Sequence, residues 1–316
     1  MSNQKSKNLT ICAASSNYLP GLNALLNSID HWKIDTDVIL LAYHLPEEYL
    51  KRIKEVFDFN IRIIQAPEGE QTRMTAIERF RIAYTEGVNY EAILLLDADF
   101  FFMTNVGLYF KVASKGFIVA SRNGMIINFN EEYQKRYQVN LGAKEYPYPN
   151  IHTTIPIWLS PQDLDWFKRL YHSRRVDGFD DFLYLNILGI VMGKDKKTIC
   201  LEPYSVSNIH HFSLKPVTGI IKKGKLLLNG LEGEMISMHG KWWDKGYYDD
   251  LAKVMEHYLK VEKLGEKQKR GTLESRKIIL EEFMKYTYLG KLDLREFVKI
   301  DWLEKKLSEI DPMIKK

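Results

Sequence analysis

Short apolar runs alternate with amphipathic segments over the first hundred residues of the chain. A mostly apolar run of strand length at Leu9 to Ala14 is followed, at Leu19 to Ile29, by apolar residues at helical spacing. The alternation repeats twice more before the apolar run at Ala92 to Leu96. Alternating strands and helices are typical of a mainly parallel sheet with helices on both faces, so the pattern predicts an α/β fold. The predicted strands lie at 9–14, 37–42, 61–65 and 92–96, and the predicted helices at 19–29, 46–56 and 72–87.

The pattern becomes less regular after residue 100. Alternate prolines in Tyr146-Pro147-Tyr148-Pro149 predict a loop, since proline has no backbone N–H to donate. Residues 219–229 predict a hairpin around Lys222-Lys223-Gly224-Lys225, and the chain is expected to be helical from Tyr248 onward. The other predicted elements are strands at 117–120, 155–159 and within 201–211, and helices at 131–143, 162–171 and 180–188.

The composition is that of an ordinary globular protein, with 316 residues of which 45% are hydrophobic. There are two cysteines, Cys12 and Cys200, and Cys12 falls in a predicted buried strand, so a reducing compartment is expected. No apolar run has the length of a membrane span, and the polar segment from Met1 to Asn8 is too short for a signal peptide. The sequence therefore predicts a cytoplasmic protein.

The net positive charge is concentrated at the C-terminus. Residues 251–316 hold 16 Lys and Arg against 12 Asp and Glu, which accounts for the whole formal charge of +4. Acidic residues are interleaved throughout, which favours a solvated helical face. The alternative is peripheral contact with phospholipid or another anionic surface. We predict a main domain at 1–247 and a basic helical extension at 248–316.

Two carboxylates one residue apart, Asp97 and Asp99, follow the apolar run that ends at Leu96. Alternate side chains of a strand point the same way, so the two would share a face where the strand leaves the sheet. One or two carboxylates plus substrate phosphates are a common arrangement for Mg²⁺, and oxygen ligands also suit Mn²⁺. The alternative is a pair of solvated aspartates in a turn. Because both flanks are apolar and burying unpaired charges is costly, the pattern favours a metal site.

Four segments stand in order within residues 9–245. They are Ala13-Ala14-Ser15-Ser16-Asn17-Tyr18-Leu19-Pro20-Gly21, Ile93-Leu94-Leu95-Leu96-Asp97-Ala98-Asp99, Asp181-Phe182-Leu183-Tyr184-Leu185-Asn186 and Met238-His239-Gly240-Lys241-Trp242. They resemble, in turn, the nucleotide-binding loop, the metal motif, the catalytic-region motif and the closing motif of GT-A-fold glycosyltransferases. The most similar group is family 8, which contains glycogenin-like and bacterial lipo-oligosaccharide galactosyltransferases. The resemblance implies an α/β GT-A fold at 1–247.

For function, the resemblance implies transfer of a hexose from a nucleotide sugar, expected to be a UDP-sugar, with Mn²⁺ or Mg²⁺ as cofactor. The acceptor stays open among a glycan, a lipid-linked glycan, a protein and a modified nucleic acid. Asp97, Asp99 and His239 are the implied metal ligands, and Asp180 and Asp181 are the implied catalytic residues. The implied donor-binding residues are Ala13, Ser15, Asn17, Tyr18, Arg79, Asp97, Ala98, Asn186, Gly240 and Lys241.

The sequence departs from the family pattern at two places that bear on specificity and mechanism. Ser15 stands where the family has an acidic residue that binds uracil, so weaker selectivity for uridine is expected. Phe182 replaces the family's glutamine. The family match favours retention of the anomeric configuration, while inversion with Asp180 or Asp181 as general base is the alternative.

Two assignments have nearby alternatives. His211 competes with His239 for the place of the third metal ligand, and Arg73 competes with Arg79 for that of the arginine before the metal motif. A different class of function is a non-catalytic protein of this fold that binds carbohydrate or nucleotide. The missing glutamine favours that hypothesis, and the intact carboxylate pair opposes it.

Overall fold

The computed structural model describes most of the N-terminal half of the chain and separate segments beyond it. The described residues are 6–66, 72–136, 144–151, 156–173, 197–201, 206–208, 219–222, 225–228, 237–239 and 280–298, with 140, 142, 189, 192–193, 277, 304–305, 307–309 and 312. The helices are α1 (Leu19–His31), α2 (Glu47–Val56), α3 (Thr72–Glu86), α4 (Gly107–Ala113), α5 (Glu131–Arg136) and α6 (Leu164–Ser173). The strands are β1 (Asn8–Ser15), β2 (Asp37–Tyr43), β3 (Ile61–Gln65), β4 (Ala92–Leu95), β5 (Phe100–Phe102), β6 (Ile118–Asn130), β7 (Glu145–Ile151), β8 (Ile157–Leu159), β9 (Thr198–Leu201), β10 (Val206–Asn208), β11 (Gly219–Lys222), β12 (Lys225–Leu228) and β13 (Ser237–His239).

One eight-stranded sheet forms the centre of the described part, in the order β3-β2-β1-β4-β8-β6-β7 with β9 paired to β6. The pairs β1–β2, β1–β4, β2–β3 and β6–β9 are parallel, whereas β8 runs antiparallel to β4 and β6, and β7 runs antiparallel to β6. The sheet is therefore mixed and mostly parallel. The predicted α/β class with a mainly parallel central sheet is confirmed.

Helices cover both faces of this sheet, as the buried residues of β1 demonstrate. Cys12 and Ala14 belong to the apolar cluster that contains α1 and α2, while Leu9 and Ile11 belong to the cluster that contains residues of α3 and α6. Successive strand residues point to opposite faces, so a strand covered on both sides must be apolar on both. This double covering explains why β1 is a nearly continuous apolar run.

Two smaller sheets accompany the central one. The strands β10, β13 and β5 form a three-stranded sheet in which β13 lies between the other two, antiparallel to β5. The strands β11 and β12 form an antiparallel pair with Lys222 opposite Lys225, so the predicted hairpin is confirmed. The short strand β5 was not predicted, although Phe100, Phe101 and Phe102 have the aromatic composition of a buried strand.

The prediction of a loop at 146–149 is wrong, because these residues belong to β7. β7 occupies the end of the sheet order, where a strand pairs on one side only, and Pro147 and Pro149 stand opposite Asn128 and Ile126 of β6. An edge strand tolerates proline because an N–H that faces away from the sheet has no ladder partner to lose. The strand expected at 117–120 is also longer, reaching Asn130, and α5 ends at Arg136.

The C-terminal segment 280–298 packs into the same core as α1. Residues 280–288 are helical, and their buried apolar residues join the cluster of α1 and α2. The buried amide of Asn23 donates to the carbonyl oxygens of Thr287 and Leu292, both at 3.0 Å. Asn27 donates to Tyr286 and Leu292 and accepts from the Leu292 N–H at 3.1 Å. These bonds satisfy backbone groups of the segment that would otherwise be buried without a partner.

The predicted boundary between a main domain and an extension at 247/248 stays a prediction, since residues 240–276 lie outside the described part of the chain. No helix among the described residues has both the length and the hydropathy needed to cross a bilayer.

The turn at Gly290 tests how tightly the C-terminal segment fits. A methyl group at 290 would overlap the Asn27 side chain, which is itself fixed by hydrogen bonds. We expect Gly290→Ala to lower the free energy of unfolding by about 1–3 kcal/mol, measured by urea denaturation. Leu289→Ala is the control, because Leu289 is 76% exposed and its loss should cost under about 0.5 kcal/mol. Equal stability of the two variants would contradict the tight fit.

Candidate functional site

The carboxyl ends of β1, β2 and β4 meet at one edge of the central sheet, because these strands are parallel neighbours. Ligands of open α/β sheets bind outside this edge. The 3₁₀ turn Ser16–Tyr18 follows β1 here, and Asp97 and Asp99 follow β4. The N–H of Leu96 donates to the carbonyl of Ile11 at 3.2 Å, so the pairing of β4 with β1 continues up to the residue before Asp97.

Asp97 and Asp99 lie in the short connection between β4 and β5, where the chain leaves the central sheet. Ala98 between them is buried, and Asp99 is only 8% exposed. The Asp97 side chain is 25% exposed. Neither aspartate is in a strand, so the expectation that strand alternation puts both side chains on one face is wrong. The connection between β4 and β5 determines their positions instead. Both carboxylates are thus partly removed from water at the edge where ligands bind.

A buried guanidinium from α3 pairs with the first carboxylate. Arg79 is 1% exposed, its Nη1 forms an ion pair and a hydrogen bond with Asp97, and the same nitrogen donates to the Leu96 carbonyl at 3.3 Å. A charge-assisted bond of this kind is stronger than a neutral one and offsets the cost of burying the cation. The structure therefore brings Arg79 together with Asp97 of the predicted metal motif, while the donor-binding role of Arg79 stays a prediction. The side chain of the alternative, Arg73, lies outside the described residues.

The loop after β1 contributes Tyr18 to the same site. Burial, and after it the negative charges of Asp99 and Asp97, raise the pKa of the Tyr18 phenol to about 12. An interaction with both carboxylates requires that the phenol lie near them. Ser15 is 8% exposed at the end of β1, and Asn17 is exposed. The predicted donor loop and the predicted metal motif are thus neighbours.

Cys12 lies beneath this site and is an unreactive thiol. It is fully buried, and burial is the main cause that raises its pKa to about 12, with a smaller contribution from Asp97 and an opposing one from Arg79. The thiolate is the reactive form of cysteine, and this environment disfavours it. Cys12 therefore packs in the core and marks how close β1 runs to the ion pair.

The backbone of His239 lies beside the metal motif. In the antiparallel pair of β13 and β5, His239 is opposite Phe100, the residue that directly follows Asp99. This register brings the backbone of the third implied ligand to within one residue of the second. The side chain of His239 is outside the described residues, and among the side chains that are described no group of three or more His, Cys, Asp or Glu could hold a metal.

The remaining predicted site residues lie outside the described part of the chain. These are the implied catalytic pair, the donor-binding residues of the third and fourth motifs, and the alternative metal ligand, namely Asp180, Asp181, Asn186, Gly240, Lys241 and His211. Their assignments stay predictions.

Ser28 of α1 and Trp32, the residue directly after that helix, hold the strand that follows the predicted metal motif, and neither was predicted from the sequence. Ser28 accepts from the Phe102 N–H at 3.1 Å, and Trp32 Nε1 donates to the Phe102 carbonyl at 3.0 Å. The sequence signal that could have indicated them is a serine near the C-terminal end of the helix and a tryptophan four residues later, directly after the helix ends.

Comparison with known proteins gives similarity in structure only. No protein-family model and no curated protein sequence matches the chain. The apo-form glycosyltransferase GlyE of Streptococcus pneumoniae TIGR4 is similar over 82% of this chain, at 13% identity and a TM-score of 0.50. This chain covers 64% of GlyE.

Two further solved structures are similar at slightly lower TM-scores. An active-site mutant of LgtC matches 78% of this chain and 95% of its own, at 12% identity and a TM-score of 0.49. The bifunctional glycosyltransferase WbbM matches 82% of this chain, at 13% identity and a TM-score of 0.48, and this chain covers 52% of WbbM. At 13% identity the similarity to GlyE establishes the fold alone. The fold is the mixed α/β fold of GT-A glycosyltransferases, as predicted.

The Arg79–Asp97 pair can be tested by its contribution to stability. We expect Arg79→Met to lower the free energy of unfolding by about 3 kcal/mol, because the Asp97 carboxylate and the Leu96 carbonyl would lose their partner. Chemical denaturation measures this change, and Asp97→Asn in the same chain should recover part of it.

Arg62→Met is the matched control. Arg62 donates to both carboxylate oxygens of Glu86, but its side chain is 55% exposed, so its removal should cost about 0.5 kcal/mol. A loss of stability no greater in Arg79→Met than in Arg62→Met would contradict the view that burial makes the Arg79 pair strong.

Proposed function

We propose that the protein is a metal-dependent glycosyltransferase that moves a hexose from a UDP-sugar to an acceptor. The observation that carries the proposal is that Tyr18 follows β1 and that Asp97 and Asp99 follow β4 at the carboxyl ends of these two parallel neighbours, with Arg79 paired to Asp97. That edge is where an α/β sheet binds its ligand. The glycosyltransferase fold supports the proposal, because several proteins that share it are glycosyltransferases by name.

The carboxylate oxygens of Asp97 and Asp99 are suitable ligands for Mn²⁺ or Mg²⁺. Two partly buried carboxylates supply hard oxygen ligands, and such cations commonly complete their shells with water and substrate phosphates. Asp99 would bind the cation directly. Asp97, already paired with Arg79, would bind it or hold a ribose hydroxyl. His239 is the proposed third ligand, supported by the register that sets it opposite Phe100.

Negative charge is the central problem of the proposed reaction. A nucleotide sugar leaves behind a nucleoside diphosphate, whose departure builds negative charge on the phosphate oxygens. A bound divalent cation supplies compensating charge at that point. Arg79 holds Asp97 in place, and Lys241, from the closing motif, is proposed to donate to a phosphate oxygen. Gly240 beside it would let the backbone approach the diphosphate closely.

The donor loop is proposed to bind the nucleoside. Tyr18 offers an aromatic face and a phenol that is protonated at neutral pH, as tyrosine phenols ordinarily are, so it can donate a hydrogen bond. Ala13, Asn17 and Ala98 would contribute backbone or side-chain contacts on either side. Ser15 can both donate and accept, so we propose uridine as the preferred base with weaker discrimination than a carboxylate gives.

The acceptor and the stereochemistry rest on the third motif. Asp181 and Asn186 are proposed to lie in the sugar pocket, and Asp180 to cap the following helix. In the favoured, retaining form of the reaction Asp181 contacts the reacting sugar. In the alternative, inverting form Asp180 or Asp181 is the general base that takes the acceptor's proton. The acceptor is a glycan, a lipid-linked glycan, a protein or a modified nucleic acid. The basic C-terminal region would make any peripheral contact with an anionic surface.

The metal proposal predicts that Asp99 controls nucleotide binding. In calorimetry we expect wild-type protein to bind UDP with Mn²⁺ and to lose this binding when EDTA is added. Asp99→Asn should weaken Mn²⁺-dependent UDP binding by more than about tenfold, since a neutral amide oxygen replaces the charged carboxylate ligand. Its melting temperature should stay near the wild-type value.

The control for Asp99→Asn is Asp58→Asn. The Asp58 side chain is 84% exposed and precedes β3, at the opposite edge of the parallel strands, so its variant should bind UDP as the wild type does. Wild-type UDP affinity in Asp99→Asn with Mn²⁺ present would show the metal assignment to be wrong. Binding of UDP without hydrolysis or transfer of any UDP-sugar would favour the non-catalytic alternative.

The third ligand can be identified by comparing two histidines. We expect His239→Ala to weaken Mn²⁺ and UDP binding more than His211→Ala does, because β13 carries the backbone of His239 to the strand that follows Asp99. Titration of both variants with Mn²⁺ at fixed UDP gives the comparison. The opposite ranking would transfer the role to His211.

A further inference from the structure

We propose that Ser28, Trp32 and Tyr286 form a clamp that sets the position of the metal motif relative to the donor loop. This inference rests on the proposed function and deepens it, because it names positioning residues for the same site. None of the three belongs to the four motifs. The clamp acts on β5, the strand that begins one residue after Asp99, and on α1, the helix that begins one residue after Tyr18.

The clamp binds both backbone polar groups of one residue, Phe102. The N–H of Phe102 donates to the Ser28 hydroxyl at 3.1 Å, and the carbonyl of Phe102 accepts from Trp32 Nε1 at 3.0 Å. The Ser28 hydroxyl in turn donates to the carbonyl of Leu25 at 2.7 Å, which fixes its orientation. Phe102 is fully buried, so water does not replace either hydrogen bond when it is lost.

Tyr286, in the C-terminal segment 280–298, is the third residue of the clamp. The Trp32 Nε1–H also donates to the Tyr286 hydroxyl at 2.9 Å. The centroid of the Phe101 ring lies 5.5 Å from that of Tyr286 and 5.9 Å from that of Phe283. Asn105, three residues after β5 along the chain, donates to the Trp32 carbonyl at 2.6 Å. Hydrogen bonds thus join β5 to Ser28 of α1 and to Trp32, and the helical residues 280–288 pack against β5.

This arrangement matters for the site because both of its halves are short connections. Asp97 to Asp99 join β4 to β5, and Ser16 to Tyr18 join β1 to α1. The strands β1 and β4 pair directly, which fixes the first end of each connection. The clamp joins β5, which begins at the second end of one connection, to the C-terminal end of α1, the helix that begins at the second end of the other. A bound metal and diphosphate need their ligands held to within a fraction of an ångström. The clamp supplies that constraint at residues that touch neither.

The experiment compares Trp32→Phe with Trp158→Phe. Both replace a tryptophan that packs in or against the same core cluster, but the Trp32 N–H is shared between two acceptors, the Phe102 carbonyl and the Tyr286 hydroxyl, whereas the Trp158 N–H has no partner among the described residues. We expect Trp32→Phe to weaken Mn²⁺-dependent UDP binding by about three- to tenfold, because the binding-competent position of β5 loses the stabilisation of this shared hydrogen bond. Trp158→Phe should lower the melting temperature and leave UDP affinity within about twofold of the wild type.

Ser28→Ala is the second variant, because it removes the other half of the clamp without a large change in volume. Amide hydrogen exchange at Phe102 should be faster in Ser28→Ala and in Trp32→Phe than in Trp158→Phe. Wild-type UDP affinity in both clamp variants overturns the inference, whatever their melting temperatures, and so does an equal loss of affinity in Trp158→Phe.

The two proposals can fail separately. If the wild-type protein binds no UDP with Mn²⁺, the proposed function is wrong, and the exchange rate of the Phe102 amide then decides whether the clamp exists. If the wild type binds UDP and the clamp variants bind it equally well, the function stands and the positioning role is wrong.

Discussion

A buried positive charge at the edge of the sheet is the constraint on which the described site depends. Arg79 projects from α3 into a place that excludes water, and there it needs an anion and a carbonyl to be stable. Asp97 and the end of β4 supply them. The pair docks α3 on the sheet and leaves Asp99 as the second carboxylate of the motif. One ion pair thus joins the packing of the helix to the charge of the site.

The rest of the described core is arranged around the connection that carries these carboxylates. The central sheet fixes where β4 ends, and α1 and the C-terminal segment fix where β5 begins. Buried asparagines do much of this work: Asn23 and Asn27 hydrogen-bond the backbone at Tyr286, Thr287 and Leu292. Such polar contacts are stabilising only when every buried group is satisfied, so they select one packing of the chain over others. Residues far apart in sequence therefore define one compact site.

Specificity and chemistry are separated along the chain in the proposed function. The loop after β1 would bind the nucleoside, the Asp97–Asp99 connection would bind the metal and diphosphate, and the third motif would act on the sugar. Only the first two belong to the described residues, together with the backbone of β13. The similarity to GlyE extends the fold over most of the chain but leaves donor, acceptor and stereochemistry as proposals.

The sequence alone determined the α/β class, nearly all elements before residue 100 and the placement of the carboxylate pair at a strand end. It could do so because periodicity and apolar runs report burial locally. Only the tertiary structure decided that Pro147 and Pro149 lie in an edge strand, that Phe100 to Phe102 form β5, and that 280–298 shares the core of α1. Each of these depends on a partner distant in sequence, and a single chain's pattern does not state which distant segments pair. For the same reason the sequence supplied Asp97 and Arg79 as candidates, while the structure supplied Ser28 and Trp32.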